Sequence, residues 1–266
     1  MTTGEFEMRK SQFSLSTVFS LIATVSALTA CGGGGGSDAP ATTGPSAEGV
    51  YGGTLTGSPS TAFNLLILDN GDYWSMYGTQ GASVFGVAGF VQGTGTSSNG
   101  SFTSVNGKDF GVFPAVSGSV SATYNATAKT ISGTTTSTSG TSTFSGGPIA
   151  GSLYNYDAAA TLSTVAGSWT TTSLTGETVI ISIAAGGAFT AVSSGGCHFS
   201  GTIAPRASGK NVFNTSLTFG LAPCALPNQT ATGIAVAYPL TTGRTQLIVA
   251  VTDAARTVGA AVVGTR

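Results

Sequence analysis

The chain has 266 residues, of which only 7% are charged, and its formal net charge is −1. A nucleic-acid partner requires a basic stripe, and this balance of charges excludes one. Gly, Ser and Thr stand where charges usually do, so the surface is expected to be neutral and rich in hydroxyls.

At the N-terminal end Arg9-Lys10 precede an apolar run at 13–28 that ends in Leu28-Thr29-Ala30-Cys31. The run is short, contains Ser and Thr, and stops at small residues before a cysteine, unlike a membrane-spanning helix. This pattern resembles the lipobox of Gram-negative bacterial lipoproteins, and the resemblance covers residues 1–36. It implies cleavage between Ala30 and Cys31 by the lipoprotein-processing machinery. It also implies a thioether-linked diacylglycerol and an N-acyl (palmitate) chain on Cys31, more than the two signals that stable membrane anchoring needs. Gly32 after the cysteine implies sorting to the outer membrane, with the periplasmic or surface side left open. Residues 31–47 show no apolar periodicity and read as a Gly-rich flexible tether with a span of roughly 20–25 Å.

The first folded segment is expected at 48–152. Strands are expected at 50–56, 63–68 and 73–77, the last two joined by Asp69-Asn70-Gly71-Asp72. Asn-Gly between β-rich runs is a strong hairpin signal, on the reading that both residues take φ > 0. Further strands are expected at 88–96, 101–105, 109–113, 117–124, 130–138 and 142–146, with a second Asn-Gly turn at Asn106-Gly107. In Val120-Ser121-Ala122-Thr123-Tyr124 apolar residues alternate with hydroxyls, as in a strand with one wet face.

Residues 153–166 break the pattern. Asp157 precedes Ala158-Ala159-Ala160-Thr161-Leu162, which reads as an N-cap followed by helix formers, so a short helical connector is expected. The second segment, 167–266, opens at Gly167-Ser168-Trp169. Its strands are expected at 179–183, 188–192, 198–204, 211–219, 232–238, 245–251 and 258–263. Phe213, Leu217 and Phe219 fall on one strand face, with Thr215 between them. Cys197 lies at the head of one strand of the 198–219 hairpin and Cys224 just past the end of the other. Antiparallel pairing would bring them together, and an even pair in an exported chain reads as one disulfide. Its loop of about 27 residues would stabilise the second segment alone by roughly 3–4 kcal/mol. A metal site is the alternative, but His198 is the single histidine and zinc needs three or four ligands, so no metal and no cofactor are expected.

The two segments match. Gly49-Val50-Tyr51 corresponds to Gly167-Ser168-Trp169, and Ile67, Gly71 and Tyr73 correspond to Ile183, Gly187 and Phe189 at the same spacing. The fold class expected is therefore all-β: two related antiparallel meanders, each a small barrel or a sandwich. Gly167-x-Trp169 after a short helix, opening a meander, resembles the entrance motif of lipocalin-type barrels. The later basic residue that this resemblance implies is not located by the sequence. A membrane-spanning barrel is not expected, because Val263-Gly264-Thr265-Arg266 lacks a terminal aromatic.

Chemistry is sparse. The acids of the folded part are Glu48, Asp69, Asp72, Asp109, Asp157, Glu177 and Asp253, and most sit at turns, where they satisfy backbone donors. His198 and Ser200 share a strand face, but no Gly-x-Ser-x-Gly elbow exists and no catalytic set assembles around them. Gly93-Thr94-Gly95 has no following helix and no Lys at phosphate-loop spacing. Trp74, Tyr73 and Tyr77 read as packing residues, with Trp74 on the opposite strand face from the two tyrosines. Trp169 and Tyr51 are the aromatics expected to contact a ligand if one binds. The expectation is a non-enzymatic binding or structural module at the envelope, partnered by the membrane through Cys31 and by a protein or an apolar small molecule. A lipocalin-like carrier is the alternative.

Overall fold

The computed structural model describes residues 44–81, 84–111 and 114–266. The lipobox, with Ala30 and Cys31, lies outside the described residues, as do Val112 and Phe113 of the strand expected at 109–113. Among the described residues the fold is all-β, and the choice between sandwich and barrel falls to two closed antiparallel barrels.

The first barrel comprises β1 (Gly49–Thr56), β2 (Ala62–Ile67), β3 (Asp72–Gln80), β4 (Phe85–Thr94), β5 (Thr96–Ser98), β6 (Ser101–Asp109), β7 (Val116–Asn125), β8 (Thr130–Ser137) and β9 (Gly140–Gly147). β1 pairs with β2 and β9, and the ring closes where β4 meets β6 through Val91 opposite Asp109 and Gln92 opposite Lys108. β5 is a short flap on β6 outside the ring. The second barrel comprises β10 (Gly167–Ser173), β11 (Thr178–Ile183), β12 (Ala188–Ser193), β13 (His198–Pro205), β14 (Phe213–Phe219), β15 (Thr230–Pro239), β16 (Thr245–Thr252) and β17 (Gly259–Thr265). These eight strands close in sequence order, with β10 paired to β17.

The duplication seen in the sequence holds in the register. Gly49 pairs with Ile67 in the first barrel and Gly167 with Ile183 in the second. Ile67 then faces Tyr73, as Ile183 faces Phe189. Tyr51 donates its hydroxyl to the carbonyl of Ala47, and Trp169 donates its indole N–H to that of Val165, each four residues upstream.

Several local expectations are corrected. Only Gly71 of the Asn70-Gly71 pair has positive φ, 82°. The loop is a three-residue turn in which Gly71 N–H donates to Leu68 and Leu68 N–H to Asp72, so Asn70 needs no left-handed conformation. Asn106-Gly107 is not a turn but a bulge inside β6. Gly107 is required there because a Cβ would lie 2.6 Å from the Tyr73 hydroxyl. The expected helical connector contains a single 3-10 turn, Leu162–Thr164, which starts after Thr161, with no side-chain cap, and not after Asp157. Asp157 is instead paired with Lys210 at 2.7 Å. Packing also starts before residue 48: the Pro45 carbonyl accepts from the Tyr124 hydroxyl, and Ala47 is fully buried.

The described residues form one compact unit, because the barrels share an apolar core between their outer faces. β2 is buried at every position. Phe63, Leu65 and Ile67 point into their own barrel, while Ala62 and Leu66, with Leu68 just past the strand, face the other one. β15 and β16 do the same from the opposite side: Ile234, Val236, Tyr238, Ile248 and Ala250 meet Trp74, Met76, Phe90 and Phe110. A strand covered on both faces is mostly apolar, which is why 63–68 does not alternate and carries a single polar residue, the buried Asn64. Gly259 allows the closest approach, since a Cβ there would lie 2.6 Å from Phe110 and 2.7 Å from Phe90.

Polar links flank this core. Arg206 pairs with Asp69 at 2.7 Å, and Gln246 donates to the Phe85 carbonyl at 2.9 Å. Arg256, in the turn between β16 and β17, donates to Gln92 on β4 and Asn106 on β6 at 2.6 and 2.8 Å. One side chain of the second barrel thereby bridges the two-pair seam that closes the first. Asp253 builds that turn by accepting from the backbone N–H groups of Thr257 and Val258, both at 2.7 Å. Burial works against its charge, but these bonds and that of the Thr257 hydroxyl prevail and hold its carboxyl below the usual range. Its stabilisation is therefore present above a pH of about 4, the unfolded value, and is lost as pH falls through the lower folded value. Asp253→Ala is expected to cost about 1–2 kcal/mol in urea unfolding at pH 7. That deficit should shrink at pH 2.5; an equal deficit at both pH values would mean that the charge contributes nothing.

Candidate ligand cavity in the second barrel

The two interiors differ. In the first barrel Tyr51, Phe63, Tyr73, Phe102, Tyr124 and Phe144 fill the lumen and leave a space of about 40 Å³. Phe63 meets Phe144 edge-on at 5.5 Å and Tyr73 meets Phe102 at 5.7 Å, so the rings interlock. In the second barrel the interior holds more aliphatic side chains, and one end holds a cavity of about 480 Å³. Val179, Ile181, Leu217, Val249, Val251 and Val262 line it. Phe189, Phe199 and Phe219 form one wall, with Phe199 between the other two at 6.4 and 5.7 Å.

The closed end is built around Trp169, which is 1% exposed. Its N–H donates to Val165 at 2.6 Å. The Arg266 guanidinium lies over the indole, 3.9 Å from the ring centroid, and donates to the Ala166 and Thr164 carbonyls. A basic residue, Arg266, thus stacks on the tryptophan that fills this end. The barrels resemble a lipocalin-like fold.

The open end is formed by the β10–β11, β12–β13 and β16–β17 turns and by the longer β14–β15 loop. Cys197 and Cys224 are joined in a disulfide, with Cα atoms 4.5 Å apart. This bond ties the β12–β13 turn to the β14–β15 loop and sets Pro223, Ala225 and Leu226 against the cavity. Ser173, Thr175, Glu177 and Ser193 line the same end. The mouth therefore combines an apolar loop with hydroxyls and one carboxylate.

Trp169 and Tyr51 do not border this cavity. Trp169 plugs the closed end, and Tyr51 is fully buried in the first barrel, where burial, with smaller contributions from nearby Tyr124 and Glu48, pushes its phenol up to about 12. Trp74 packs between the barrels, while Tyr73 points into the first lumen. The residues that do line the cavity were scattered in the sequence, and only the shared face of Leu217 and Phe219 on β14 pointed to them. His198 and Ser200 are exposed on the outer face of β13 and share no hydrogen bond. Among the described residues no group of three or more His, Cys, Asp or Glu side chains could hold a metal, and no helix is long and apolar enough to cross a membrane.

No family model and no curated protein matches the chain. A solved structure similar to it is a protein of unknown function from the DUF3598 family of Nostoc punctiforme PCC 73102. The two are 11% identical, with a TM-score of 0.26, over 82% of this chain and 93% of that one.

Proposed function

We propose that this protein is a non-catalytic, lipid-anchored module of the cell envelope that holds a small apolar ligand in its second barrel. The cavity carries the reading. Its volume of about 480 Å³ falls in the range of small-molecule sites, and its walls are almost wholly aliphatic and aromatic. An apolar space of this size beside a tightly filled sister barrel is a departure from ordinary packing that a ligand would explain. The first barrel supports the second through the shared core. The envelope address rests on the lipobox resemblance at Leu28-Thr29-Ala30-Cys31.

Native mass spectrometry of the protein extracted from its own organism tests the ligand. A reproducible excess mass that disappears on denaturation is expected, and its value identifies the ligand. A chain that carries only its acyl groups and disulfide, in repeated preparations, would replace this reading with a structural or protein-binding role.

A further inference from the structure

We infer that the cavity selects an amphiphile whose head group donates hydrogen bonds, a cationic amine above a neutral alcohol, with Glu177 as the acceptor at the mouth. This rests on the ligand reading above and narrows it by charge.

Three observations carry it. First, no Lys, Arg or His lines the cavity or its mouth, so a fatty-acid carboxylate would find no counter-charge there. Second, the acids of the described residues are otherwise committed. Glu48 accepts from Tyr156, and Asp69 pairs with Arg206. Asp72 accepts from Asn70 and Thr94, and Asp109 from Tyr77 and Gly111. Asp157 pairs with Lys210, and Asp253 accepts from Thr257 and Val258. The Glu177 carboxylate has no hydrogen-bond or ion-pair partner among the described residues, and it is the one charged group on the cavity.

Third, the carboxylate, although solvent-exposed, lies beside the opening: its Oε1 is 2.3 Å from where a Cβ on Gly195 would be, over the β12–β13 turn. Ser173, whose hydroxyl bonds that of Thr175 at 2.8 Å, and Ser193 continue the polar arc beside it. A chain buried along the Phe189–Phe199–Phe219 wall would bring its head to this arc. Its tail would contribute the affinity and its head the selectivity.

The test uses the purified full chain with its disulfide intact. Dodecylamine, dodecanol and dodecanoate are titrated calorimetrically at pH 7, below their aggregation limits. The amine is expected to bind best and the carboxylate worst, about tenfold or more apart. Glu177→Gln should bring the amine to within about twofold of the alcohol. Gly195→Ala should act in the same direction by displacing the carboxylate, with the fold intact because only a flexible side-chain end must move. A carboxylate that binds as well as the amine, or a ranking untouched by Glu177→Gln, would overturn the inference while leaving an apolar ligand in place. Failure of all three to bind would overturn the ligand reading, and this inference with it.

Discussion

Trp169→Ala is expected to destabilise the protein by about 4 kcal/mol, close to the whole stability of a marginal domain. The indole is 1% exposed and fills the closed end of the second barrel, so its loss leaves a void that the closed strands on every side cannot collapse into. The Val165 carbonyl loses its donor, and Arg266 loses the ring beneath its guanidinium. Trp169→Phe separates these contributions. It keeps most of the apolar volume, removes the N–H, and should cost only about 1–2 kcal/mol. Denaturant unfolding of both variants measures the difference. A loss under about 1 kcal/mol for Trp169→Ala would show that the closed end does not hold the barrel together. The Arg266 contact predicts a second signature: Arg266→Ala should raise the solvent accessibility of the indole and red-shift its emission.

Phe90→Ala is expected to lower a single melting transition of the whole folded unit, at a cost of about 3–4 kcal/mol and a shift on the order of 10 °C. Phe90 is fully buried on the outer face of β4, stacked on Trp74 at 5.8 Å and on Phe110 at 5.0 Å. Gly259 of the second barrel lies against the same rings. The truncation therefore opens the interface between the barrels, not the interior of either. Since the shared core includes residues from β2, β3 and β4 on one side and β15, β16 and β17 on the other, neither barrel keeps its outer apolar face covered once its partner unfolds. Reduction of the Cys197–Cys224 bond should move that same transition, by about 3–4 kcal/mol in the chain-entropy account. The sequence alone suggested that it would act on the second segment only. Differential scanning calorimetry decides: two separate transitions, only one of them moved by Phe90→Ala or by reductant, would mean that the barrels are energetically independent.

The site also shows how charge and packing divide the work of recognition. An apolar lumen binds by area and distinguishes poorly among ligands of similar length. Discrimination has to come from the few polar groups at the opening. Here these are three hydroxyl residues and one carboxylate, beside an apolar loop that the disulfide ties to the β12–β13 turn.

The sequence by itself determined the all-β class, the position of most strands, the duplication and the disulfide. These follow from local causes: alternation of apolar and hydroxyl residues, Gly at turns that need positive φ, and two cysteines flanking the open end of one hairpin. Tyr51 and Trp169 could be matched because each closes its barrel from the same place in the repeat. Tertiary structure alone decided the rest. Whether eight strands curl into a barrel depends on a seam between strands far apart in sequence, such as β10 with β17, and no local pattern encodes it. Whether a lumen is filled depends on the summed volume of side chains from all its strands, so Val249 and Val251 in one barrel against Phe102 and Phe144 in the other became meaningful only once each ring had closed. Glu177 read as one acid among several because its distinction is the absence of a partner, a property of the three-dimensional surroundings and not of the residue.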